Sequence, residues 1–234
     1  MKKRIIILLG SPGSGKGTQS DLLSSSMNLF YFETSKILED RFNFSSEDDF
    51  IEVNQEKFYT RDEKKLWETG SLCSPQFVTE LVQEKIKDLH KQGKGIIFSG
   101  SPRTIYEGEK IIPLIKDLYG AENIDVVLLE ISPEETIYRN SHRKICKLMR
   151  HSILYSEETK DLNFCPIDGS ELMKREGLDD PETIKVRIKE FQERTMPLVD
   201  LFERHGLKVN LINGSKSPAE VFNETLKAIG NDNS

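Results

Sequence analysis

A glycine-rich loop near the start of the sequence limits what the whole chain can fold into. Residues 10–19 read GSPGSGKGTQ and follow the apolar run IIILL at 5–9. Seven of the ten loop residues are Gly, Ser or Thr, and the only charged one is Lys16. The apolar run predicts a buried strand, and residues 17–27 predict a helix. A strand, a glycine-rich loop and a helix in this order indicate an α/β protein with a parallel sheet.

Apolar runs and amphipathic segments alternate along the rest of the chain. Buried strands are predicted at 4–9, 29–32, 95–98, 125–131 and 207–212. Helices are predicted at 17–27, 75–91, 104–118, 133–145, 181–204 and 217–229. Strands that are apolar throughout and are separated by helices are typical of a parallel sheet covered on both faces. We therefore predict an α/β fold whose five strands form such a sheet.

Two segments interrupt this alternation. Residues 33–72 are polar and helical in character, with SSEDD at 45–49 predicting a loop, and residues 146–178 have no clear period. Both are predicted to be insertions at strand ends, where an α/β sheet holds its ligands. The remaining residues form the core of one domain, comprising 1–32, 73–145 and 179–234. Four aromatic residues are expected to form a small core within the first insertion: Phe50, Phe58, Tyr59 and Trp67.

Composition excludes several classes of protein. A net charge of −6 over 234 residues argues against a nucleic-acid partner. No apolar run approaches the roughly eighteen residues that a membrane span requires. Three cysteines do not make a disulfide framework in a chain this long. We therefore expect a protein of the reducing cytoplasm, with neither nucleic acid nor membrane as its partner.

The glycine-rich loop predicts a site for the phosphates of a nucleoside triphosphate. Glycines allow consecutive backbone N–H groups to turn towards one point, and the following helix adds the positive end of its dipole. Lys16 adds a positive charge. The expected contacts come from the residues Gly13, Ser14, Gly15, Lys16, Gly17 and Thr18. The pattern departs from the general motif at Gly17, because the hydroxyl residue follows one place later, at Thr18.

The sequence resembles the adenylate kinase family of nucleoside monophosphate kinases. The loop GSPGSGKGTQ is similar to that family's loop, including the glycine after the lysine. Further matches follow in the family's order: ETSKILE at 33–39, GSLCSPQFVTELVQEKI at 70–86, GSPRT at 100–104, SHRKIC at 141–146, the DDPETIKVRIKEF and TMPL segments, and NGSK at 213–216. The resemblance implies a five-stranded parallel core, a monophosphate-binding insertion at 33–72 and a lid at 146–178. It also implies transfer of the ATP γ-phosphoryl group to AMP.

The resemblance assigns roles to several cations. Phosphoryl transfer between two phosphates is mainly positioning and charge neutralisation, and the planar guanidinium of arginine suits both tasks. By the resemblance, Arg103 grips the acceptor phosphate and Arg139 lies against the donor base. Arg143, Arg175 and Arg187 close down from the lid. Lys216 belongs to the loop at the edge of the donor adenine.

The acceptor side departs from the family pattern at several positions. Ser99 stands where the family has an Asp that orders water around Mg²⁺, and Lys36 replaces a second carboxylate. We expect Mg²⁺ to enter with ATP, bridging phosphates and keeping most of its waters. Glu39 replaces the arginine that binds the acceptor phosphate, and Lys36, three residues earlier on the same helical face, is a candidate to compensate. Ser101 replaces an aromatic residue of the acceptor pocket.

Recognition of the acceptor base is predicted from three positions. Thr34 matches the family's base-contacting threonine, and Leu72 lies in a segment whose backbone faces the base. Glu107 stands in place of the family's base-reading glutamine. An ionised carboxylate only accepts hydrogen bonds, so it fits guanine or the amino group of adenine. AMP is the expected acceptor, and GMP or another monophosphate is the alternative.

The lid segment raises the question of a metal. Some family members carry four ligands there, and this chain has Cys146 with Met149, then Cys165 with Asp168. A thioether is a poor ligand for Zn²⁺, and His151 is a substitute only if the loop bends back. The pattern therefore favours a metal-free lid over a zinc site formed by Cys146, Cys165 and Asp168.

Two classes of function remain open at this stage. The first is a phosphotransferase, favoured by Lys16 and the arginines, since a protein that only binds nucleotide has no need for lid cations. The second is a regulatory nucleotide-binding protein with decayed catalysis, to which the departures on the acceptor side point. A monomer is expected in either case.

Overall fold

The computed structural model describes residues 3–46, 48–174 and 179–230. Its main sheet has five parallel strands in the order β10-β6-β1-β5-β2. These strands are β1 (Ile5–Gly10), β2 (Phe30–Glu33), β5 (Ile96–Ser99), β6 (Ile124–Glu130) and β10 (Val209–Asn213). The predicted α/β class and five-stranded parallel sheet are confirmed, with strand ends moved by one or two residues.

Helices cover both faces of this sheet. Their bounds are α1 (Lys16–Met27), α2 (Thr34–Phe44), α3 (Thr60–Glu68), α4 (Pro75–Lys91), α5 (Ile105–Tyr119), α6 (Pro133–His142), α7 (Pro181–Glu190), α8 (Leu198–Arg204) and α9 (Pro218–Ala228). Ile5 and Ile7 pack into one hydrophobic cluster, whereas Ile6 and Leu8 pack into another on the opposite face. This alternation explains why the whole of β1 is buried and reads as a continuous apolar run.

The first insertion contains a β-hairpin that the sequence pattern did not predict. Strands β3 (Phe50–Val53) and β4 (Glu56–Tyr59) pair antiparallel between α2 and α3. The turn residues Asn54 and Gln55 both have positive φ, 52° and 69°, which is typical of a two-residue hairpin turn. Without a glycine in it, this turn carries only a weak sequence signal.

The expected small core of the insertion is instead part of the main one. Phe58 is buried in the same cluster as Phe77, and Trp67 packs against that cluster. Phe42 joins them, with its ring centroid 5.9 Å from that of Trp67 and 6.5 Å from that of Phe77. The insertion is therefore anchored to α4 through aromatic contacts rather than folded around a core of its own.

The second insertion carries a small antiparallel sheet. Strands β8 (Ser152–Ile153), β7 (Lys144–Cys146) and β9 (Leu172–Met173) pair in that order. The helix predicted at 133–145 therefore ends at His142, where the chain turns into β7.

The helix predicted at 181–204 is also divided. Between α7 and α8, residues Phe191–Thr195 form one wide turn, in which the N–H of Met196 donates to the carbonyl of Phe191 at 2.9 Å. Pro197 explains the break, because its ring has no N–H and clashes with the carbonyl four residues before it.

Candidate active site

A large cavity opens at the carboxyl ends of the parallel strands. Its volume is about 1040 Å³. It lies where β1 has β5 on one side and β6 on the other, so that the strand order reverses there. Such a reversal is where open α/β sheets bind ligands. Its lining includes residues of the glycine-rich loop, α2, the segment after β5, α6, the small antiparallel sheet and α7.

The glycine-rich loop has the geometry of an anion cradle. Gly13 and Gly15 have φ of 81° and 95°, a conformation that L side chains rarely adopt. A Cβ at Gly13 would also lie 2.5 Å from the side-chain nitrogen of Asn140. Gly15 begins α1 with no side-chain cap, so the first N–H groups of this helix are left for a ligand.

Lys16 lies partly buried against this loop. Its Nζ donates to the carbonyls of Gly10 at 2.6 Å and Ser11 at 2.8 Å. Burial, and after it the charges of Arg103, Arg187 and Arg143, together lower the pKa of Lys16 to about 7. A group held in this state gains strongly from an anion, because phosphate oxygens would compensate the positive charges that crowd it.

Three of the predicted arginines surround Lys16. Arg103 enters from the loop after β5, Arg143 from the end of α6 and Arg187 from α7, and all three line the cavity. Arg143 forms a two-point ion pair with the buried carboxylate of Asp179 through Nη2 and Nε. Asp179 also lies 4.0 Å from Nη1 of Arg187, so one carboxylate holds two guanidinium groups at the cavity. Asp179 was not among the predicted site residues, and its signal in the sequence was its place directly before the cap of α7 at Asp180.

Arg139 closes the cavity beside the glycine-rich loop. Its Nη1 donates to the carbonyl of Gly214 at 3.0 Å, and its Nη2 lies 2.6 Å from the carboxylate of Glu135. Lys216, two residues after Gly214, lines the same end of the cavity and pairs with Glu224. The C-terminal loop and α6 therefore meet where the resemblance predicts the donor base.

The residues predicted to contact the acceptor base differ in their position relative to the cavity. Leu72 lines the cavity. Thr34 is buried at the start of α2, and its hydroxyl has no hydrogen-bond partner among the described residues. Lys36 and Glu39, the two departures on α2, both line the cavity.

The structure differs from the prediction at Glu107. This side chain is 2% exposed and lies outside the cavity lining. Its carboxylate accepts hydrogen bonds from the N–H of Arg103 at 3.0 Å and the hydroxyls of Thr104 at 3.1 Å and Ser101 at 3.5 Å. Burial raises its pKa, against the opposing effect of these donors. With its oxygens committed to the loop at 101–104, Glu107 is not placed to read a base.

Two carboxylates not singled out from the sequence also face the cavity. Glu33, at the end of β2, is paired in register with Ser99 at the end of β5. Asp21, on α1, lies near Glu33. Burial and the negative charge of Glu33 raise the pKa of Asp21, whereas the positive charge of Lys36 lowers it. The signal at Glu33 was its position at a strand end, where side chains of a parallel sheet reach the ligand.

The second insertion brings four potential ligand side chains together. Cys146, His151, Cys165 and Asp168 offer atoms that all lie within 4.8 Å of one another. Nδ1 of His151 is 3.5 Å from both sulfurs and 3.2 Å from Oδ2 of Asp168, which lies 3.0 Å from Sγ of Cys146. The fourth member is thus His151, and Met149 has a side chain 64% exposed.

Backbone geometry explains how His151 reaches the cluster. Arg150 has a φ of 57°, and its N–H donates to the carbonyl of Cys146 at 3.1 Å, which closes a tight turn. The N–H of His151 then donates to the sulfur of Cys146 at 3.0 Å. The loop therefore bends back as a histidine ligand requires.

Most of the predicted site residues meet in this one cavity. The lining includes Gly13, Ser14, Gly15, Lys16, Gly17, Thr18, Leu72, Arg103, Arg139, Arg143, Arg187 and Lys216. Thr34 and Glu107 are buried beside it rather than in its wall. Arg175, predicted as a lid cation, lies outside the described residues.

Comparison with known proteins agrees with this geometry. A model of the adenylate kinase family matches residues 8–207. This chain belongs to the adenylate kinase family. It is 32% identical over 228 residues to an adenylate kinase of Caldicellulosiruptor bescii, covering 96% of this chain and 98% of that protein. It is 31% identical to an adenylate kinase of Methanothrix thermoacetophila, covering 96% and 97%. Family membership, which the motifs predicted, is confirmed.

The comparison extends to more distant members of the family. An adenylate kinase of Borreliella burgdorferi is 28% identical over 223 residues, covering 95% of this chain and 96% of that protein. The matches therefore span both insertions as well as the core. In the described part of the chain, no helix has the length and apolar character that crossing a membrane requires.

Proposed function

We propose that this protein is an adenylate kinase that transfers the γ-phosphoryl group of ATP to AMP, giving two ADP. The observation that carries this proposal is the convergence of Lys16, Arg103, Arg143 and Arg187, from four separate segments, on one cavity. For a protein that only bound nucleotide, the glycine-rich loop would be sufficient. Three further cations around the lysine are what a transferring phosphoryl group requires.

The donor phosphates would lie in the glycine-rich loop. Residues 13–18, around the start of α1, line the cavity, and Lys16 would exchange its two carbonyl partners for phosphate oxygens. Arg139 and Lys216 would lie beside the donor base, at the end of the cavity that α6 and the C-terminal loop close. ATP would therefore span from the C-terminal loop to the base of α1.

The transfer itself would need no covalent intermediate. Arg103 would hold the acceptor phosphate in line with the γ-phosphoryl group, and Lys16, Arg143 and Arg187 would neutralise the charge on the oxygens around it. Asp179 would keep two of these guanidinium groups in place. Residues 146–178 would act as the lid that excludes water, and residues 33–72 as the monophosphate-binding insertion.

AMP is the acceptor that this protein's family membership supports. Leu72, in the cavity wall, would contact the base, and Thr34, whose buried hydroxyl has no partner in the described ranges, would donate to the base after a small movement of α2. A different acceptor such as GMP was suggested by the carboxylate at Glu107. That suggestion loses its support, since the carboxylate is turned into the protein.

Magnesium would enter bound to ATP, and the cavity offers carboxylates for its water ligands. Glu33 lies beside Ser99, which occupies the family's usual carboxylate position, and Asp21 lies close to Glu33. Hydrogen bonds from metal-bound water to such oxygens fit the preference of Mg²⁺ for keeping several waters. Ser35 donates to Glu33 at 3.1 Å and so fixes its orientation.

We also propose that the lid holds a zinc ion through Cys146, His151, Cys165 and Asp168. A tetrahedral zinc site with sulfur at about 2.3 Å and nitrogen at about 2.0 Å separates its ligand atoms by about 3.3–3.8 Å. Four of the six separations between the ligand atoms are 3.0–3.5 Å, close to these values, and all six are within 4.8 Å. Asp168 is held by the N–H and hydroxyl of Ser170, as the second shell of a metal site would require.

A coupled assay with ATP and Mg²⁺ tests the activity. AMP, GMP, CMP, UMP and dTMP are supplied separately, and ADP formation is measured. We expect turnover with AMP at least tenfold above that with any other acceptor. Arg103→Ala is expected to lower kcat/KM for AMP by about 10²–10³. Binding of ATP without turnover on any acceptor would refute the proposed activity.

Metal analysis of the purified protein tests the lid site. We expect one zinc per chain, and a cobalt-substituted protein with the intense visible absorption of a tetrahedral thiolate site. His151→Ala should lose the metal, whereas Met149→Leu should retain it, because Met149 lies outside the cluster. A His151→Ala variant with full zinc content would refute the ligand assignment.

A further inference from the structure

The acceptor arginine, Arg103, is held at its backbone rather than at its charged end. Within the described residues its guanidinium makes no hydrogen bond or ion pair at contact distance, unlike Arg143, which is paired with Asp179. Its main chain, by contrast, is bonded on both sides. The N–H donates to Glu107 at 3.0 Å, and the carbonyl accepts from the hydroxyl of Thr195 at 2.8 Å.

Thr195 makes this contact instead of the usual one for its position. A threonine within a helix commonly bonds the carbonyl four residues before it. The hydroxyl of Thr195 instead reaches a carbonyl 92 residues away in sequence. Thr195 ends the wide turn after α7, and wide turns of this kind are frequent at functional sites. Its side chain is 8% exposed, so a lost partner would leave a buried polar group unsatisfied.

Glu107 completes the support from the opposite side. As well as the N–H of Arg103, its carboxylate binds the hydroxyls of Thr104 and Ser101. Ser101 is fully buried, and its hydroxyl contacts Glu107. The two residues that depart from the family's acceptor pocket, at 101 and 107, are therefore in contact with each other. Serine and glutamate here form a bonded pair in place of an aromatic wall and a base-reading amide.

The guanidinium of Arg103 lies close against the backbone of Gly100. Gly100 has a φ of 89°, and a Cβ there would lie 2.5 Å from Nη2 of Arg103. The arginine therefore lies across Gly100 with its main chain fixed at both ends of the residue. A shift of the backbone by a few tenths of an ångström would carry the guanidinium directly out of line with the acceptor phosphate.

We propose that Thr195 and Glu107 are positioning residues for Arg103, and through it for the phosphate of the acceptor nucleotide. This inference rests on the proposed adenylate kinase function. It deepens that function, because it assigns Glu107 to the phosphate end of the acceptor rather than to its base. Neither residue touches the reacting atoms, and both act by fixing one peptide unit on each side of the arginine.

Paired variants at Thr195 test the proposal. Thr195→Val removes the hydroxyl and keeps the shape, and Thr195→Ser keeps the hydroxyl. We expect Thr195→Val to raise KM for AMP about tenfold while KM for ATP changes less than twofold, and Thr195→Ser to restore the wild-type values. Thr79→Val is the matched control, since Thr79 is also buried, on α4, and its hydroxyl has no partner among the described residues. Its kinetic constants should equal those of the wild type.

A double-variant cycle separates positioning from general structural damage. In an Arg103→Met background, which is expected to bind AMP weakly and to retain ATP binding, Thr195→Val should cause no further rise in KM for AMP. An equal effect of Thr195→Val with and without the arginine would overturn the proposal. So would an equal rise in KM for ATP. If the proposed adenylate kinase function were wrong, the wild-type protein itself would be inactive on AMP, and this result is different from a failure of the positioning proposal.

Variants at Glu107 provide the second, independent arm. Glu107→Gln retains an acceptor for the N–H of Arg103 and should keep KM for AMP within threefold of the wild type, whereas Glu107→Ala should raise it at least tenfold. The ratio of activity on AMP to that on GMP should be unchanged in Glu107→Gln. A changed ratio would show that residue 107 reads the base and would overturn its assignment. If Thr195→Val does not fold, the Glu107 pair decides the question.

Discussion

ATP binding is expected to place a proton on Lys16. In the free protein, burial and three neighbouring arginines lower the pKa of this lysine from 10.5 to about 7. The shift corresponds to about 5 kcal/mol of unfavourable interaction with the charged form. At pH 8 about nine-tenths of the free protein should therefore carry a neutral lysine. The phosphates of ATP would reverse the balance of charge around Nζ and restore its positive form.

Calorimetry measures this proton directly. ATP is titrated at pH 8 into the protein in two buffers with different enthalpies of ionisation, and the difference in heat gives the number of protons taken up. We expect about 0.9 proton per ATP at pH 8 and about half a proton at pH 7. At pH 8 the γ-phosphate of ATP is already fully ionised, so it contributes little of its own.

Two lysine variants of similar size identify the source of the proton. Lys16→Met should abolish the uptake. Lys36→Met should keep it, because Lys36 lines the same cavity but is exposed and lies outside the loop. Zero uptake by the wild type, or uptake that persists in Lys16→Met, would refute the reasoning.

The lowered pKa of Lys16 also predicts how the free energy of unfolding changes with pH. Between about pH 7 and its ordinary pKa of 10.5, the unfolded chain keeps a proton on Lys16 that the folded chain lacks. Its contribution to the free energy of unfolding of the free protein should therefore rise with pH across that window. Urea unfolding of the wild type and of Lys16→Met at pH 7 and 9 compares the two slopes.

Three further substitutions have expected outcomes. Asp179→Asn breaks the buried ion pair with Arg143 and should lower the free energy of unfolding by about 3 kcal/mol, measured in urea, while kcat falls at saturating substrates. Glu33→Gln should raise the concentration of Mg²⁺ at which ATP binding is half-maximal, measured by the fluorescence of the single tryptophan in the cavity wall, and an unchanged value would exclude Glu33 from the metal's water shell. Gly13→Ala forces a side chain into a left-handed position against Asn140 and should weaken ATP binding at least tenfold, a change that calorimetry would detect.

Features with a local cause were predictable from the sequence. The run at 5–9 is buried on both faces, so it reads as a strand without any knowledge of its partners. The loop at 10–19 predicted its own conformation, because glycines at positive φ are needed for the backbone N–H groups to converge. The same reasoning located Lys16, whose role follows from its place between that loop and α1.

Features that depend on distant partners were not predictable. The orientation of Glu107 is set by a hydroxyl at Ser101 and an N–H at Arg103, and sequence position alone does not show which way a buried carboxylate turns. The reach of His151 depends on one backbone angle, the positive φ of Arg150, a residue that rarely adopts it. Sequence reasoning from spacing therefore identified the residue types of both groups but not their geometry.

The wide turn after α7 shows how a single irregularity joins the two halves of the cavity. Arg187 and Thr195 are eight residues apart, and in a regular helix they would point about 80° away from each other. A wide turn absorbs one extra residue and reduces this angle to about 20°. Both side chains can then face the cavity, as they do, with Phe191 between them. Because one segment carries both Arg187 and the hydroxyl that bonds the carbonyl of Arg103, the turn sets the alignment of these two arginines at the cavity. The apolar period at 181–204, which predicted a continuous helix, could not reveal it.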